Sequence, residues 1–280
     1  MYKSHLYMNI GPVSFEICSD DILDIDSQYK QFFFESDHHL SVIKCYIKVT
    51  NQFEPIHGNL VYQNDERLIF DNDGLETRIH FFNKEPYGIY REIKENEIQI
   101  EVISSKIDIL FIEMFALEKY LLKENAIILH SSFISYHHKG IVFTAPSGTG
   151  KSTQASLWQK YMNADIINGD RSILWYNEKD DCIYCCGLPF CGSSQINKNQ
   201  IFTLHSIIFI SQALNNHVAY VSKTYASTQL FKEISINQWN INAIDQSLDI
   251  INTITNKVQL LALECTISKE SVDIVREYIN

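Results

Sequence analysis

IVFTAPSGTGKST, residues 141–153, begins as a short apolar run, turns through two glycines and then opens a helical pattern. From Ala145 to Ser152 it matches the Walker A spacing, with alanine at the position of the first glycine. Gly148 and Gly150 can adopt backbone angles that are closed to other residues, so successive N–H groups can turn inward around phosphate oxygens. The order of strand, glycine-rich turn and helix therefore predicts a phosphate-binding loop at a helix N-terminus.

The side chains of this stretch suit the same chemistry. Lys151 would place a positive charge on the phosphates, and the Ser152 hydroxyl would be a ligand for Mg²⁺. Apolar residues recur at helical spacing after the turn, at Ala155, Trp158 and Tyr161, which disfavours an accidental Gly/Ser-rich turn. The predicted nucleotide-contacting residues are Ser147, Gly148, Thr149, Gly150, Lys151, Ser152 and Thr153.

Length and composition bound the remaining possibilities. The chain has 280 residues, of which 45% are hydrophobic and 20% charged, so it can form one large domain or two with a buried core. Its formal net charge of −11 disfavours general nucleic-acid binding, because no basic stripe is available to displace counterions. No apolar run approaches the roughly 18–20 residues of a membrane helix, and no signal-like segment opens the chain, so we expect a cytoplasmic protein without a membrane partner.

The metal-ligating residue types give weak patterns. Seven cysteines, an odd number, do not form a disulfide framework. Cys182 and Cys185 have ligand spacing, but no second such pair exists, and cysteines in a strand usually behave as small hydrophobes. His38 and His39 are adjacent and are better explained as a polar turn than as a metal pair, because neighbouring strand residues face opposite ways.

Periodicity divides the chain into a β-rich part and a mixed part. Over residues 1–105 apolar residues alternate, as at 42–49, and the turn 71–74 predicts a hairpin between 67–70 and 75–82, so we expect an antiparallel N-terminal module. The pattern at 107–123 is that of an amphipathic helix bridging the two parts. The second part is predicted to contain strands at 126–136, 141–144, 165–167, 172–176, 182–186, 204–210 and 259–266, and helices after the glycine-rich turn and at 226–239, 243–257 and 269–280.

Four short motifs, in this order and at these spacings, are similar to a known family. LHSSFI (129–134), APSGTGKSTQASLW (145–158), INGDR (167–171) and GLPFCGSS (187–194) resemble the HPr-kinase-like and phosphoenolpyruvate-carboxykinase-like branch of phosphate-loop proteins. The resemblance covers about residues 107–280 and is strongest to stand-alone homologues encoded beside clusters for ribosomally made peptides. It implies a P-loop α/β domain at 106–280. With the β-rich module that periodicity predicts at 1–105, a candidate for peptide recognition, the expected fold class is α+β.

The resemblance also implies roles for individual residues. Lys151 and Ser152 match the family's phosphate- and Mg²⁺-binding positions, and His130 matches a histidine that lies beside the catalytic carboxylate. Asp170 matches the second acid of an Asp-Asp pair, so it is expected to bind Mg²⁺ or act as the base. Gly169 stands where the first acid would be, which is a departure. Read without the resemblance, His130 is a core histidine. The position of Asp170, about 20 residues beyond the Lys-Ser pair at the end of a neighbouring strand, itself favours a metal ligand or base over a simple turn residue.

The resulting hypothesis is an ATP- and Mg²⁺-dependent kinase that phosphorylates a Ser or Thr hydroxyl of a peptide, with Asp170, His130 and Lys151 as catalytic residues and the 187–194 loop on the acceptor side. One alternative is a catalytically silent, nucleotide-binding peptide chaperone, favoured by Gly169. Another is a small-molecule kinase that acts on an acceptor such as serine. The sequence does not fix the oligomeric state, so an oligomer is possible.

Overall fold

The computed structural model describes residues 2–35 and 42–279 and shows a mixed α/β chain with several sheets. It divides into two compact units, Met1–Leu117 and Glu118–Asn280. The sequence places a boundary after residue 105, but residues beyond that point belong to the first unit. Phe115, for example, packs edge-on against Phe15 with ring centroids 4.9 Å apart. His38 and His39 lie outside the described residues.

The first unit is mostly strand. Its elements are β1 Ser4–Ile10, β2 Val13–Ser19, β3 Asp24–Ile25, β4 Phe33–Phe34, β5 Val42–Val49, β6 Asn59–Gln63, β7 Arg67–Asn72, β8 Leu75–Phe82, β9 Glu85–Lys94, β10 Glu97–Val102, β11 Lys106–Ile107 and the short helix α1 Ile109–Glu113. Nine strands form one sheet in the order β4-β1-β2-β5-β10-β9-β8-β7-β6, and β3 pairs separately with β11. The predicted hairpin is confirmed, since β7 and β8 pair antiparallel across a turn at Asp73 and Gly74.

The sequence predicted an antiparallel module, but this sheet also contains parallel pairs. β5 runs parallel to both of its neighbours, β2 and β10. A parallel neighbour requires a crossover connection, and hydrophobic alternation cannot indicate one because it has the same period in both kinds of sheet. The alternation itself is present in β5, where Ile43, Cys45 and Ile47 are buried while Lys44 and Lys48 are exposed.

The single helix predicted for 107–123 is wrong. Ile107 belongs to β11, and the segment forms two short helices, α1 and α2 Leu117–Lys123. Asp108 caps the first of them, its side chain accepting a hydrogen bond from the Phe111 N–H, and Ala116 then takes a left-handed conformation with φ near 50°. The four apolar residues at helical spacing, Phe111, Met114, Leu117 and Leu121, are all buried, which explains why periodicity alone indicated one helix.

The second unit combines a sheet with longer helices. Its elements are β12 Ala126–Tyr136, β13 Lys139–Thr144, α3 Lys151–Met162, β14 Asp165–Asn168, β15 Arg171–Asn177, β16 Cys182–Gly187, β17 Ile201–Gln212, β18 His217–Tyr220, α4 Lys223–Glu233, β19 Ile234–Ser235, α5 Ile241–Lys257, β20 Gln259–Cys265 and α6 Lys269–Ile279. The sheet order is β13-β12-β15-β16-β17-β20-β18, and β13 also pairs with β17. Strands β12, β13, β15, β16 and β17 therefore close into a ring.

The direction of the strands determines what meets at one edge. β13, β17 and β20 are mutually parallel, with Thr144 paired to Phe209 and Phe209 to Ala262. Their carboxyl ends thus lie at the same edge of the sheet, where ligands bind in open α/β sheets. The predicted helix 226–239 ends earlier, at Glu233, because Ile234 and Ser235 pair with β12. None of the helices formed by the described residues is long and apolar enough to cross a lipid bilayer.

Candidate functional site

The glycine-rich turn, residues 145–150, connects β13 to α3. Gly148 and Gly150 both have positive φ, +78° and +117°, and open space surrounds the position of a Cβ at each. The need for glycine there is therefore conformational rather than steric. Thr149 holds the turn closed, since its hydroxyl donates to the Pro146 carbonyl at 2.8 Å. The backbone amides at the start of α3 are thereby placed at the carboxyl edge of β13, a position that favours an anion.

Lys151 is the first residue of α3 and is buried. Its ammonium donates to the Ala145 carbonyl at 2.7 Å and lies 3.3 Å from the Pro146 carbonyl. Burial lowers the pKa of Lys151 below its ordinary value, an effect that the carboxylates of Glu233 and Asp170 oppose. Two acceptors occupy two of the three N–H donors, so the third remains for a ligand in the turn.

Ser152 joins α3 to the turn that follows β14. Its hydroxyl donates to the Gly169 carbonyl at 3.0 Å. Ser132, on β12, lies within hydrogen-bonding distance of the same carbonyl, at 3.0 Å, and of Ser152 Oγ, at 3.3 Å. Because the Ser152 proton is directed to the carbonyl, the lone pairs of its oxygen are left for another partner.

The Asp170 turn is built on Asn168, which is fully buried. The Asn168 side-chain oxygen accepts from the backbone N–H groups of Asp170 and Arg171, each at 2.9 Å. Its amide nitrogen donates to the Leu188 and Phe190 carbonyls, each at 2.8 Å. One side chain therefore fixes both the turn that carries Asp170 and the loop after β16. Good turn chemistry and a defined carboxylate position are both present here, so the two interpretations of Asp170 do not exclude each other.

His130 lies between two carboxylates. Its Nε2 is 3.9 Å from Asp170 Oδ1, and its Nδ1 is 3.1 Å from Glu233 Oε2. Sequence reasoning placed His130 near Asp170 but missed Glu233, which is 103 positions away and is the last residue of α4. The strand β19 brings it there, because Ile234 pairs with Leu129, the residue before His130. The exposed fraction of the side chain is 32% for His130, 28% for Asp170 and 14% for Glu233, so a substrate can reach this group.

Arg171 completes the charged groups around the turn. Its Nε lies 3.3 Å from Asp170 Oδ2, and its guanidinium lies over the Phe190 ring at 5.1 Å from the centroid. The loop after β16 also approaches Asp170 directly, since a Cβ at Gly192 would lie 2.9 Å from Asp170 Oδ1. The 187–194 loop, which the sequence assigned to the acceptor side, thus lies against the proposed base, and its glycines are needed for its own close packing there.

Gly169 is a close-packed position. A Cβ there would lie 2.1 Å from Ser194 Oγ and 2.4 Å from Ser194 Cβ. Any side chain at 169 therefore requires the 187–194 loop to move. An acidic side chain at position 169, which the resemblance implies, would therefore clash with the loop in this arrangement. This clash is a steric reason for glycine at that position.

Replacing Gly169 with Ala is expected to lower the free energy of unfolding by about 1–3 kcal/mol, the usual cost of overpacking a filled position. Ser194→Gly removes both atoms that the new methyl group would meet. In the double variant the cost of Gly169→Ala should fall to well under half of its value in the parent background. Urea unfolding followed by tryptophan fluorescence measures the four proteins, and equal costs in the two backgrounds would show that Ser194 is not the obstacle.

A cleft flanks the glycine-rich turn on the side of β17 and β20. Its volume is about 440 Å³, in the range of small-molecule sites. It is lined by Gly148, Thr149, Gly150, Thr153, Gln154, Ile210, Gln212, Ala213, Cys265, Thr266 and Ile267. The Gln212 amide reaches the turn itself, with its Nε2 3.4 Å from the Gly148 carbonyl and 3.3 Å from the Thr149 carbonyl. The carboxyl ends of β17 and β20 thus extend the site away from Asp170.

Comparisons with known proteins add little to this geometry. No family model matches the chain, and no curated protein matches it. Among solved structures, the HPr(Ser) kinase/phosphatase from Coxiella burnetii is similar over 54% of this chain and 89% of its own, with 11% identity and a TM-score of 0.30. This likeness is weak and assigns no role to any residue of this chain.

Proposed function

We propose that the protein is an ATP- and Mg²⁺-dependent kinase that transfers a phosphoryl group to a Ser or Thr hydroxyl of a peptide. The observation that carries the proposal is the meeting of two groups of residues at one carboxyl edge. The first group is a glycine-rich turn with a buried lysine at a helix N-terminus, an arrangement that binds phosphates. The second group is Asp170 with His130 beside it, and Ser152 connects the two groups through its hydrogen bond to the Gly169 carbonyl. Phosphoryl transfer needs such positioning and electrostatic stabilisation more than it needs covalent chemistry.

The residues present fit both parts of Mg-ATP. Lys151 retains a donor for a phosphate oxygen, and the amides of the turn face the same region. Mg²⁺ prefers oxygen ligands, and the Ser152 hydroxyl and the Asp170 carboxylate provide two of them near the Gly169 carbonyl. The adjoining cleft of about 440 Å³ has room for the rest of a nucleotide. Nothing in the donor set disfavours this ligand.

When bound, Mg-ATP supplies the γ-phosphoryl group. Asp170 then orients the acceptor hydroxyl and accepts its proton, and His130, held by Glu233, stabilises the charge on that carboxylate. Lys151 and Arg171 offset the negative charge of the transferring group and of the departing ADP. The Asp170 side chain is 28% exposed, which allows a peptide hydroxyl to reach it.

A second candidate is favoured by Gly169. Because its position is filled by Ser194, the site contains one acid where a pair would be expected from the resemblance. A nucleotide-binding peptide chaperone that does not turn over ATP would use the same turn, the same lysine and the same cleft. The two candidates differ only in whether phosphate moves.

Transfer of labelled phosphate decides between them. The full chain is incubated with Mg-ATP labelled at the γ-phosphate and with peptides from the source cell, with an excess of free amino acids in a parallel reaction. We expect label on a peptide Ser or Thr, no label when EDTA removes Mg²⁺, and no competition by free serine. Competition by serine would instead identify a small-molecule kinase, and stoichiometric Mg-ATP binding without label transfer would identify the silent chaperone.

A further inference from the structure

Three metal-ligating side chains lie together in the first unit, far along the chain from the residues discussed above. β1 and β2 pair in unbroken antiparallel register from Ser4 opposite Ser19 to Ile10 opposite Val13. This register places His5 directly opposite Cys18, and Glu16 lies two residues from Cys18 and therefore on the same face. The ligand atoms of His5, Glu16 and Cys18 all lie within 4.8 Å of one another. It is the one such group of three among residues 2–35 and 42–279.

The geometry points to a Zn²⁺ site formed by His5 Nε2, a Glu16 carboxylate oxygen and Cys18 Sγ on the β1–β2 hairpin. Nitrogen, oxygen and thiolate sulfur are the ligands that Zn²⁺ uses, with bonds of about 2.0–2.3 Å. A tetrahedron with such bonds has ligand atoms about 3.3–3.8 Å apart, so small side-chain rotations close the present spacing. A thiolate ligand also argues against Mg²⁺ and Ca²⁺.

The surroundings are suited to reversible occupation. His5 Nε2 and Glu16 Oε1 are 2.9 Å apart, so two of the ligands already converge. The His5 side chain is 50% exposed, which gives the ion access and leaves a fourth position for water, whereas Cys18 is buried. The paired backbone of the hairpin fixes the three Cα positions, so little order has to be gained on binding.

The charged neighbours of Cys18 affect how readily its thiol loses the proton that a metal ion must displace. Burial and the Glu16 carboxylate raise the pKa of the Cys18 thiol, whereas Lys44 lowers it. Lys44 is the register partner of Glu16 in the parallel pairing of β2 with β5, so its charge is close enough to affect the Cys18 thiol. The alternative to a metal site is therefore a simple His5–Glu16 ion pair beside a buried thiol. Zn²⁺ binding requires release of the thiol proton, since only the thiolate is a ligand.

Cobalt binding to the full chain tests the site. With Co²⁺ under anaerobic, reducing conditions we expect a thiolate-to-cobalt charge-transfer band and intense d–d bands at one equivalent, displaced by Zn²⁺. Cys18→Ser should abolish the charge-transfer band. His5→Ala, at an exposed position that tolerates the change, should weaken Zn²⁺ binding by more than about 100-fold, since loss of a ligand costs more than loss of an outer-shell partner.

Two control variants keep the same residue types elsewhere. Cys182→Ser and His57→Ala should bind Co²⁺ and Zn²⁺ as the parent does. The proposal is overturned if the parent protein shows no charge-transfer band, or if the band survives in Cys18→Ser. Unchanged Zn²⁺ affinity in His5→Ala would likewise overturn it. The site does not depend on the proposed kinase activity, because none of these measurements involves nucleotide.

Discussion

Replacing Asp170 with Asn is expected to slow phosphoryl transfer by about 10²–10⁴-fold, the range typical for loss of a general base. Asparagine keeps the size of the side chain and one oxygen, but it cannot accept the hydroxyl proton. The backbone N–H of Asp170 still bonds to Asn168, so the turn should keep its shape. The rate is measured as label transferred per minute at saturating Mg-ATP, with nucleotide affinity determined separately.

Asp165→Asn is the matched control. Asp165 is an exposed carboxylate at the start of β14, five positions before Asp170, and it pairs with Lys198 outside the site. Its replacement should change the rate by no more than about two-fold, in line with surface substitutions generally. A parental rate in Asp170→Asn would remove Asp170 from the mechanism, even if the protein proved to be a kinase.

The sequence predicted the parts of the site that are close together along the chain. Residues 141–153 contain a strand, a turn and a helix start in one continuous stretch, and each is indicated by local rules for glycine and for periodicity. β12 and β13 form the predicted hairpin, with Ser131 opposite Thr144, so the placement of His130 near the turn followed from adjacent strands. Whether these residues bind a nucleotide stays a prediction.

The parts that escaped prediction depend on distant pairings. Glu233 had no local signal, because the sequence places it inside the predicted helix 226–239, and only the pairing of β19 with β12 brings it to His130. The contact of Ser194 with Gly169 joins residues 25 positions apart through a loop without regular periodicity. Spacing could identify Gly169 as a departure from the resemblance, but it could not show that the position is filled.

The bounds of helices and strands were predicted wrongly where a local change of backbone conformation or a short strand pairing interrupts a long apolar pattern. Apolar residues recur at helical spacing over 107–123 and are buried in each of the two helices, while Ala116, with φ near 50°, interrupts the helical backbone between them. The strands β18 and β19 are only four and two residues long, too short for a period to be counted. Each is defined by its partner strand, β20 or β12, and not by its own composition.

Trp158→Ala is expected to be the most destabilising single replacement in the second unit, by about 3–5 kcal/mol. Trp158 is fully buried on α3 and packs against β12 and β13, with its ring 5.2 Å from that of Tyr136 and 6.3 Å from that of Phe143. A small side chain would leave a cavity between the helix and both strands. Stabilities of about 5–15 kcal/mol are usual for domains, so a large share would be lost.

Trp158→Phe separates packing from hydrogen bonding. The Trp158 Nε1–H is buried without a hydrogen-bond partner among the described residues, so phenylalanine removes an unsatisfied donor while it fills most of the space. We expect its cost to be at most about half that of Trp158→Ala. Urea unfolding followed by the fluorescence of Trp175 and Trp239, which remain in both variants, measures the difference. If phenylalanine cost as much as alanine, the indole N–H would have to be satisfied in solution, and the contribution of Trp158 would lie in that bond and not in its volume.

Since Trp158 is two turns beyond Lys151 on α3, the same cavity should also loosen the glycine-rich turn, and weaker Mg-ATP binding in Trp158→Ala than in Trp158→Phe would connect the core to the proposed nucleotide site.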